Sequence, residues 1–119
     1  MRNWQNKYSA KKTYSELCGR TFDSKAEARR GEELELLQKA GEISALQYQV
    51  SFKLCEKPNI KIKVDFSYQE NGECILEDVK GMGETREFRV KRAWLEQSQG
   101  KKIILTKKGK ANSLPSSST

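Results

Sequence analysis

Asp65, Asp78 and Lys80 could share one piece of chemistry, because the stretches that carry them read as the two arms of a hairpin. Ile60, Ile62, Val64, Phe66 and Tyr68 alternate with Lys61, Lys63, Asp65 and Ser67, which is the period of a strand. Asn71-Gly72 is the preferred dipeptide of a two-residue type I′ turn, and Cys74 to Lys80 reads as the return strand. With Glu70 facing Glu73, counting outward sets Asp65 opposite Asp78 and Lys63 opposite Lys80. Directly opposed residues have Cβ atoms about 4.5–5.5 Å apart, and like charges there are destabilising. Two facing carboxylates ask for a reason, and hard oxygen donors at that separation suit Mg²⁺. Lys80, two residues beyond Asp78, projects from the same face. Such a site suits phosphodiester hydrolysis: a metal activates a water and neutralises developing charge, while the lysine positions that water or stabilises the pentavalent phosphorus.

The elements that must hold these groups follow from the flanking sequence. Ser24-Lys25-Ala26-Glu27 fits a capping box and Gly41 a stop after Ala40, so a helix is expected between them. Glu27 lies within about 20° of Leu34 around that helix. Glu27, Leu34 and Leu37 therefore share the sheet-facing side, with Glu32, Glu33 and Glu35 turned away. An acid there could reach the metal, although a capping role accounts for Glu27 equally well. Gly31, one turn on, leaves room for close approach. Leu46, Tyr48, Val50, Phe52 and Leu54 alternate as a strand that Pro58-Asn59 ends. A second helix is expected from about Thr85 to Gln97, with Phe88, Lys91, Trp94 and Leu95 along one side. Gly100 stops it, and Lys102 to Thr106 is a last strand. Helix, three strands, helix, strand describes an α/β fold with a mixed sheet. Residues 1–23 read as a basic arm with a small hairpin over Thr13 to Asp23, 24–106 as the core, and 107–119 as a basic, then Ser-rich flexible tail.

Across 119 residues, 33% are charged and the formal net charge is +7, which points to a polyanionic partner. Lys7, Lys11, Lys12, Arg20, Arg29, Arg30, Arg86, Arg89, Lys91 and Arg92 are the candidates for phosphate contact. Each taken singly is as readily an ordinary solvated charge, and Asp65 and Asp78 could be surface acids balanced by Lys61, Lys63 and Lys80. The chain has no histidine, which excludes serine–histidine and cysteine–histidine hydrolysis and histidine as a general base. Cys18, Cys55 and Cys74 form no C-x-x-C pair, so neither a zinc site nor a disulfide framework is indicated. Nothing resembles a signal peptide, and no apolar run approaches the roughly 20 residues of a membrane span. A cytoplasmic protein is expected.

Val64-Asp65-Phe66 followed by Ile75-Leu76-Glu77-Asp78-Val79-Lys80-Gly81 resembles the paired motifs of PD-(D/E)XK nucleases. The helix opening with Ser24-Lys25-Ala26-Glu27 is similar to the first-helix motif of that superfamily. The layout resembles phage endonuclease I, a junction-resolving enzyme, and more closely a family of small phage and prophage proteins. The resemblance runs from about Lys7 to Thr106. It implies a restriction-endonuclease-like αβββαβ core, and Glu27, Asp65, Asp78 and Lys80 as catalytic residues. The three acids would be ligands of Mg²⁺, with Mn²⁺ able to substitute, and Lys91 would be an additional basic residue. Val64 stands where the superfamily usually has proline, and Asp78 where endonuclease I enzymes have glutamate. The implied activity is metal-dependent DNA endonuclease, phage or prophage encoded and acting on branched DNA such as Holliday junctions in the bacterial cytoplasm. A symmetric homodimer is the expected way for so small a chain to cut both strands. Two other readings stand beside it: a non-catalytic nucleic-acid-binding module that keeps the nuclease fold, and an interaction protein that binds an acidic partner protein.

Overall fold

The computed structural model describes residues 11–80 and 83–107. In chain order these form β1 (Thr13–Ser15), β2 (Arg20–Phe22), α1 (Lys25–Lys39), β3 (Ser44–Cys55), β4 (Ile60–Glu70), β5 (Glu73–Lys80), α2 (Arg86–Gln99) and β6 (Ile103–Lys107). β1 and β2 pair as a small antiparallel hairpin, and the other strands make one sheet in the order β3-β4-β5-β6. The first three run antiparallel, whereas β6 lies parallel to β5 and is reached through α2. This is the expected α/β fold with a mixed sheet. Arg2, Lys7 and most of the expected tail lie outside the described residues.

Local chemistry sets the element ends. Ser24 is extended at φ −152°, and its side chain accepts the Glu27 amide at 3.0 Å, an N-cap. At the other end of α1 the Glu42 amide returns to the Leu37 carbonyl at 2.9 Å across Gly41, whose φ is +83°, a turn that glycine adopts without a Cβ clash. Asn71 and Gly72 both have positive φ, 53° and 80°, as a type I′ turn requires. The β4–β5 register is the one counted from that turn, running from Glu70–Glu73 to Phe66–Glu77. It stops there. Asp65 and Asp78 come next but are not a ladder pair, and Lys63 pairs with Ser51 of β3 rather than with Lys80.

That stopping point divides the core. Phe66 and Tyr68 pack with Phe22, Ala28, Leu34 and Ile43 under α1, while Ile62 and Val64 pack with Leu76, Leu95 and Ile103 under α2. All four β4 residues are at alternate positions of one strand, so β4 changes its packing partner at Asp65. Leu95 is fully buried and Trp94 only partly so. Burying residues such as Phe66 or Leu95 contributes about 1.5–3 kcal/mol each. Phe22 belongs to the same core at 1% exposure. The β1–β2 hairpin is therefore part of the packed unit, and the expected division between 23 and 24 runs through it.

Two further expectations are corrected by polar contacts. Glu32 and Glu35, expected to turn away from the packed side, are engaged by neighbouring strands: Ser15 Oγ donates to Glu32 at 2.6 Å, and the Tyr48 hydroxyl donates to Glu35. Arg30 is not a free surface charge. Its guanidinium grips the buried Glu77 carboxylate at 2.6 and 3.1 Å, and Glu77 also accepts the hydroxyls of Tyr68, at 2.7 Å, and Thr106. Four donors fill the carboxylate's lone-pair sites, and together they tie α1, β4 and β6 to β5. Removing one charge from such a pair typically costs about 3–5 kcal/mol. Among the described residues no helix is long and apolar enough to cross a membrane.

α1 approaches the β1–β2 hairpin closely at Gly31. A Cβ there would lie 2.7 and 3.1 Å from ring atoms of Phe22, which the rings of Tyr48 and Phe66 hem in. Gly31→Ala gains about 0.5–1 kcal/mol of helix propensity, but overpacking costs about 1–3 kcal/mol. Thermal unfolding is expected to show a net loss of about 1–2 kcal/mol. A variant as stable as the wild type would mean that Phe22 has room to move.

Candidate functional site

Where the β4–β5 ladder ends, two carboxylates take over its hydrogen bonds. The Asp65 amide donates to Asp78 Oδ1 at 2.9 Å, and the Val79 amide donates to Asp65 Oδ2 at 2.9 Å. Each acid thus satisfies a backbone N–H of the strand bearing the other, and the two side chains are crossed at the opening between the strands. An amide left without a partner there would cost about 1–3 kcal/mol. Asp78 is 4% exposed. Its Oδ2 holds Lys80 Nζ at 2.8 Å, and the same ammonium lies 3.7 Å from the centroid of the Phe88 ring on α2. Lys80 is therefore beside Asp78 as the alternation of β5 required. Glu77, its neighbour, points the other way into the Arg30 pair.

Glu27 joins this group. Its backbone amide caps the helix on Ser24, but its side chain, 5% exposed, accepts Gln49 Nε2 at 2.8 Å. Capping and site membership are divided between its main chain and its carboxylate. Gln49 Nε2 also lies 3.5 Å from Asp65 Oδ1, so one carboxamide bridges the helix acid and the strand acid. Gln49 has φ +54°, a left-handed conformation that costs a side-chain-bearing residue about 1–2 kcal/mol. It was absent from the sequence expectations, and the alternation of β3 marks it only as one polar residue among several.

Two of these acids, Asp65 and Glu27, resist ionisation. Asp65 is pushed up to about 8, by burial first and then by the charges of Asp78 and Glu27, against the pull of the Val79 amide and Lys80. Glu27 is also raised, by burial and then by Asp23, while a hydrogen bond with Asp65 and the charge of Arg20 act the other way. Hard oxygen donors, buried and mutually repelling, are the chemistry that a divalent cation satisfies. Among the described residues no group of three or more His, Cys, Asp or Glu side chains is arranged to hold a metal ion as it stands. Mg²⁺ does not demand one, since it is commonly held by one or two carboxylates and completed by water. Asp65 and Asp78, with Glu27 behind them, fit that pattern in donor type.

The expected basic residues are placed unevenly. Lys11, Arg29 and Arg86 are exposed, and Arg89 is 61% exposed with Glu84 at 3.8 Å. Arg92 binds Glu84 closely at 2.6 Å, and Lys12 and Lys91 pair with Asp23 and Glu87 at 3.3 and 3.0 Å. The Arg92–Glu84 pair is partly buried on both sides, whereas the exposed Lys12–Asp23 pair is worth about 0–1 kcal/mol and yields readily to phosphate. Arg30 does not, being held by the buried Glu77. Arg20 lies over the rings of Tyr48 and Phe22, at 4.8 and 5.4 Å from their centroids, with its Nε buried and without a hydrogen-bond partner among the described residues. Lys91 is half-buried on α2, with its ammonium on Glu87. Lys7 lies outside the described residues.

The chain belongs to the family described as "Protein of unknown function (DUF1064)", which matches residues 5–111. Neither a curated protein nor a solved structure matches it.

The raised Asp65 has a measurable consequence. Its folded value of about 8 exceeds its ordinary 3.8, so the folded protein keeps a proton that the unfolded chain releases. That contribution to stability is complete below about pH 4 and is lost as the pH rises toward 8. In chelator, the melting temperature of the wild type minus that of Asp65→Asn is expected to fall across that window. A difference that stays level or grows with pH would contradict the assignment.

Proposed function

We propose that this protein is a Mg²⁺-dependent DNA endonuclease of the PD-(D/E)XK type, hydrolysing phosphodiester bonds at the opening between β4 and β5. The observation that carries this reading is the crossed pair of Asp65 and Asp78 with Lys80 held on Asp78 at 2.8 Å. Asp65 and Asp78 would hold the ion, with Glu27 as the third acid. When bound, a divalent cation would activate a water for attack and neutralise charge on the phosphate. Lys80, supported by Phe88, would steady that water or the developing charge on phosphorus. The absence of histidine from the whole chain leaves these carboxylates and lysines as the groups able to do acid–base work.

DNA would be held through its backbone by the exposed Lys11, Arg29, Arg86 and Arg89, with Lys12, Lys91 and Arg92 exchanging their acidic partners for phosphate. Branched phage or prophage DNA in the bacterial cytoplasm is the proposed substrate, and a symmetric homodimer the proposed cutting form. One observation favours a second reading. The acids are already bonded by backbone amides, Gln49 and Lys80, as they would be in a non-catalytic DNA-binding module that keeps the fold.

A cleavage assay on linear, nicked and four-way-junction DNA with Mg²⁺ or Mn²⁺ separates the two. Asp78→Asn and Lys80→Ala are each expected to slow cleavage by about 10²–10³-fold or more, with DNA binding in chelator retained. Tight, salt-sensitive DNA binding without cleavage by the wild type would favour the module. Equal cleavage by wild type and Asp78→Asn on every substrate would sink the catalytic assignment.

A further inference from the structure

The position directly across β4 from the candidate ion site is occupied by Gln49. Tyr48 pairs with Phe66 and Val50 with Val64, so Gln49 faces Asp65 in the β3–β4 register. At this level neither Gln49–Asp65 nor Asp65–Asp78 is a ladder pair. Gln49 is half-buried, and its main chain is left-handed at φ +54° within an otherwise extended strand. A glutamine gains nothing locally from that conformation, since its side chain is too long for the short-range backbone bonds that let asparagine tolerate it. What the position provides is the bridge: Nε2 donates to Glu27 Oε2 at 2.8 Å and lies 3.5 Å from Asp65 Oδ1. The two N–H groups of one carboxamide can address two carboxylates at once. Glu27 comes from a helix and Asp65 from a strand, and among the described residues Gln49 is the side chain that hydrogen-bonds to both.

The geometry points to Gln49 as the positioning residue of the ion site, a neutral donor that sets the Glu27 and Asp65 carboxylates relative to one another so that a divalent cation meets them already oriented. This rests on the cation-binding reading above. A positive side chain in the same place would compete with the ion by charge, and an acid would add to the repulsion. An amide orients both carboxylates and leaves their charge available. Groups that hydrogen-bond to metal ligands in this way typically contribute 10–100-fold to metal affinity. The strained backbone is then the local cost of aiming this side chain, as at other functional sites.

Titration calorimetry of the full chain with Mn²⁺, after stripping with chelator, tests this alongside cooperative thermal unfolding. Gln49→Gly suits the left-handed backbone and removes the carboxamide, and is expected to weaken Mn²⁺ binding about 10–100-fold while unfolding stays cooperative. Gln49→Asn tolerates the same backbone and keeps the amide one methylene shorter, and is expected to fall between the two. Wild-type affinity in either folded variant would overturn the assignment. Loss of cooperative unfolding in both would make Gln49 a structural strut and overturn it as well. A wild type that binds no Mn²⁺ would remove the cation reading itself, a result distinct from equal binding by wild type and variants.

Discussion

Much of this structure depends on what happens where β4 and β5 part. A hairpin that opens exposes backbone amides that the ladder no longer serves, and burial makes an unserved amide costly. Here Asp65 and Asp78 reach across and accept those amides. The bonds hold the opening in shape and hold two carboxylates together against their repulsion. The same level of β4 is where the core passes from α1 to α2, so the acids lie at the junction of both packing units. Their placement is structural and chemical at once, and truncating either acid to alanine removes a hydrogen bond of the fold as well as an oxygen donor.

Glu77 and Asp78 show how one strand separates the two uses of a buried carboxylate. Glu77 is closed: Arg30, Tyr68 and Thr106 fill its lone pairs, and the pair acts as a clamp between α1, β4, β5 and β6. Asp78 accepts one backbone amide and one ammonium, which leaves acceptor capacity on a carboxylate. Alternation along β5 sends them to opposite faces. The fold can therefore keep a strong internal clamp one residue from a site that must remain able to change partners.

The positive charge of the chain is likewise sorted by its surroundings. Arg30 serves the clamp, and Arg20 lies on two aromatic rings beside the acids. Arg29, Arg86, Arg89 and Lys11 remain toward solvent. A count of lysines and arginines treats these alike, yet only the exposed group can exchange water for phosphate at little cost.

Local chemistry written in the chain determined a good deal. Asn71-Gly72 dictates a type I′ turn, and that turn sets the register that brings Asp65 to Asp78 and leaves Lys80 on the Asp78 face. Ser24 and Gly41 likewise mark where α1 starts and ends, and Gly31 marks a close approach, although its partner, Phe22 of the β1–β2 hairpin, is set only by the fold. Gln49 was not legible, for a specific reason. Counted from the Cys55–Ile60 pair at the end of the β3–β4 hairpin, Val50 would face Asp65; the irregularity between Lys53 and Cys55 shifts the register by one residue and brings Gln49 there instead. The end of the β4–β5 ladder, the capture of Arg30 by Glu77 and the division of Glu27 between cap and site were equally beyond the sequence. Turns and caps involve residues a few positions apart, so the sequence by itself determines them. The partners of a buried polar group come from distant segments and are settled by competition among all the groups that packing brings within reach, which only the tertiary structure decides.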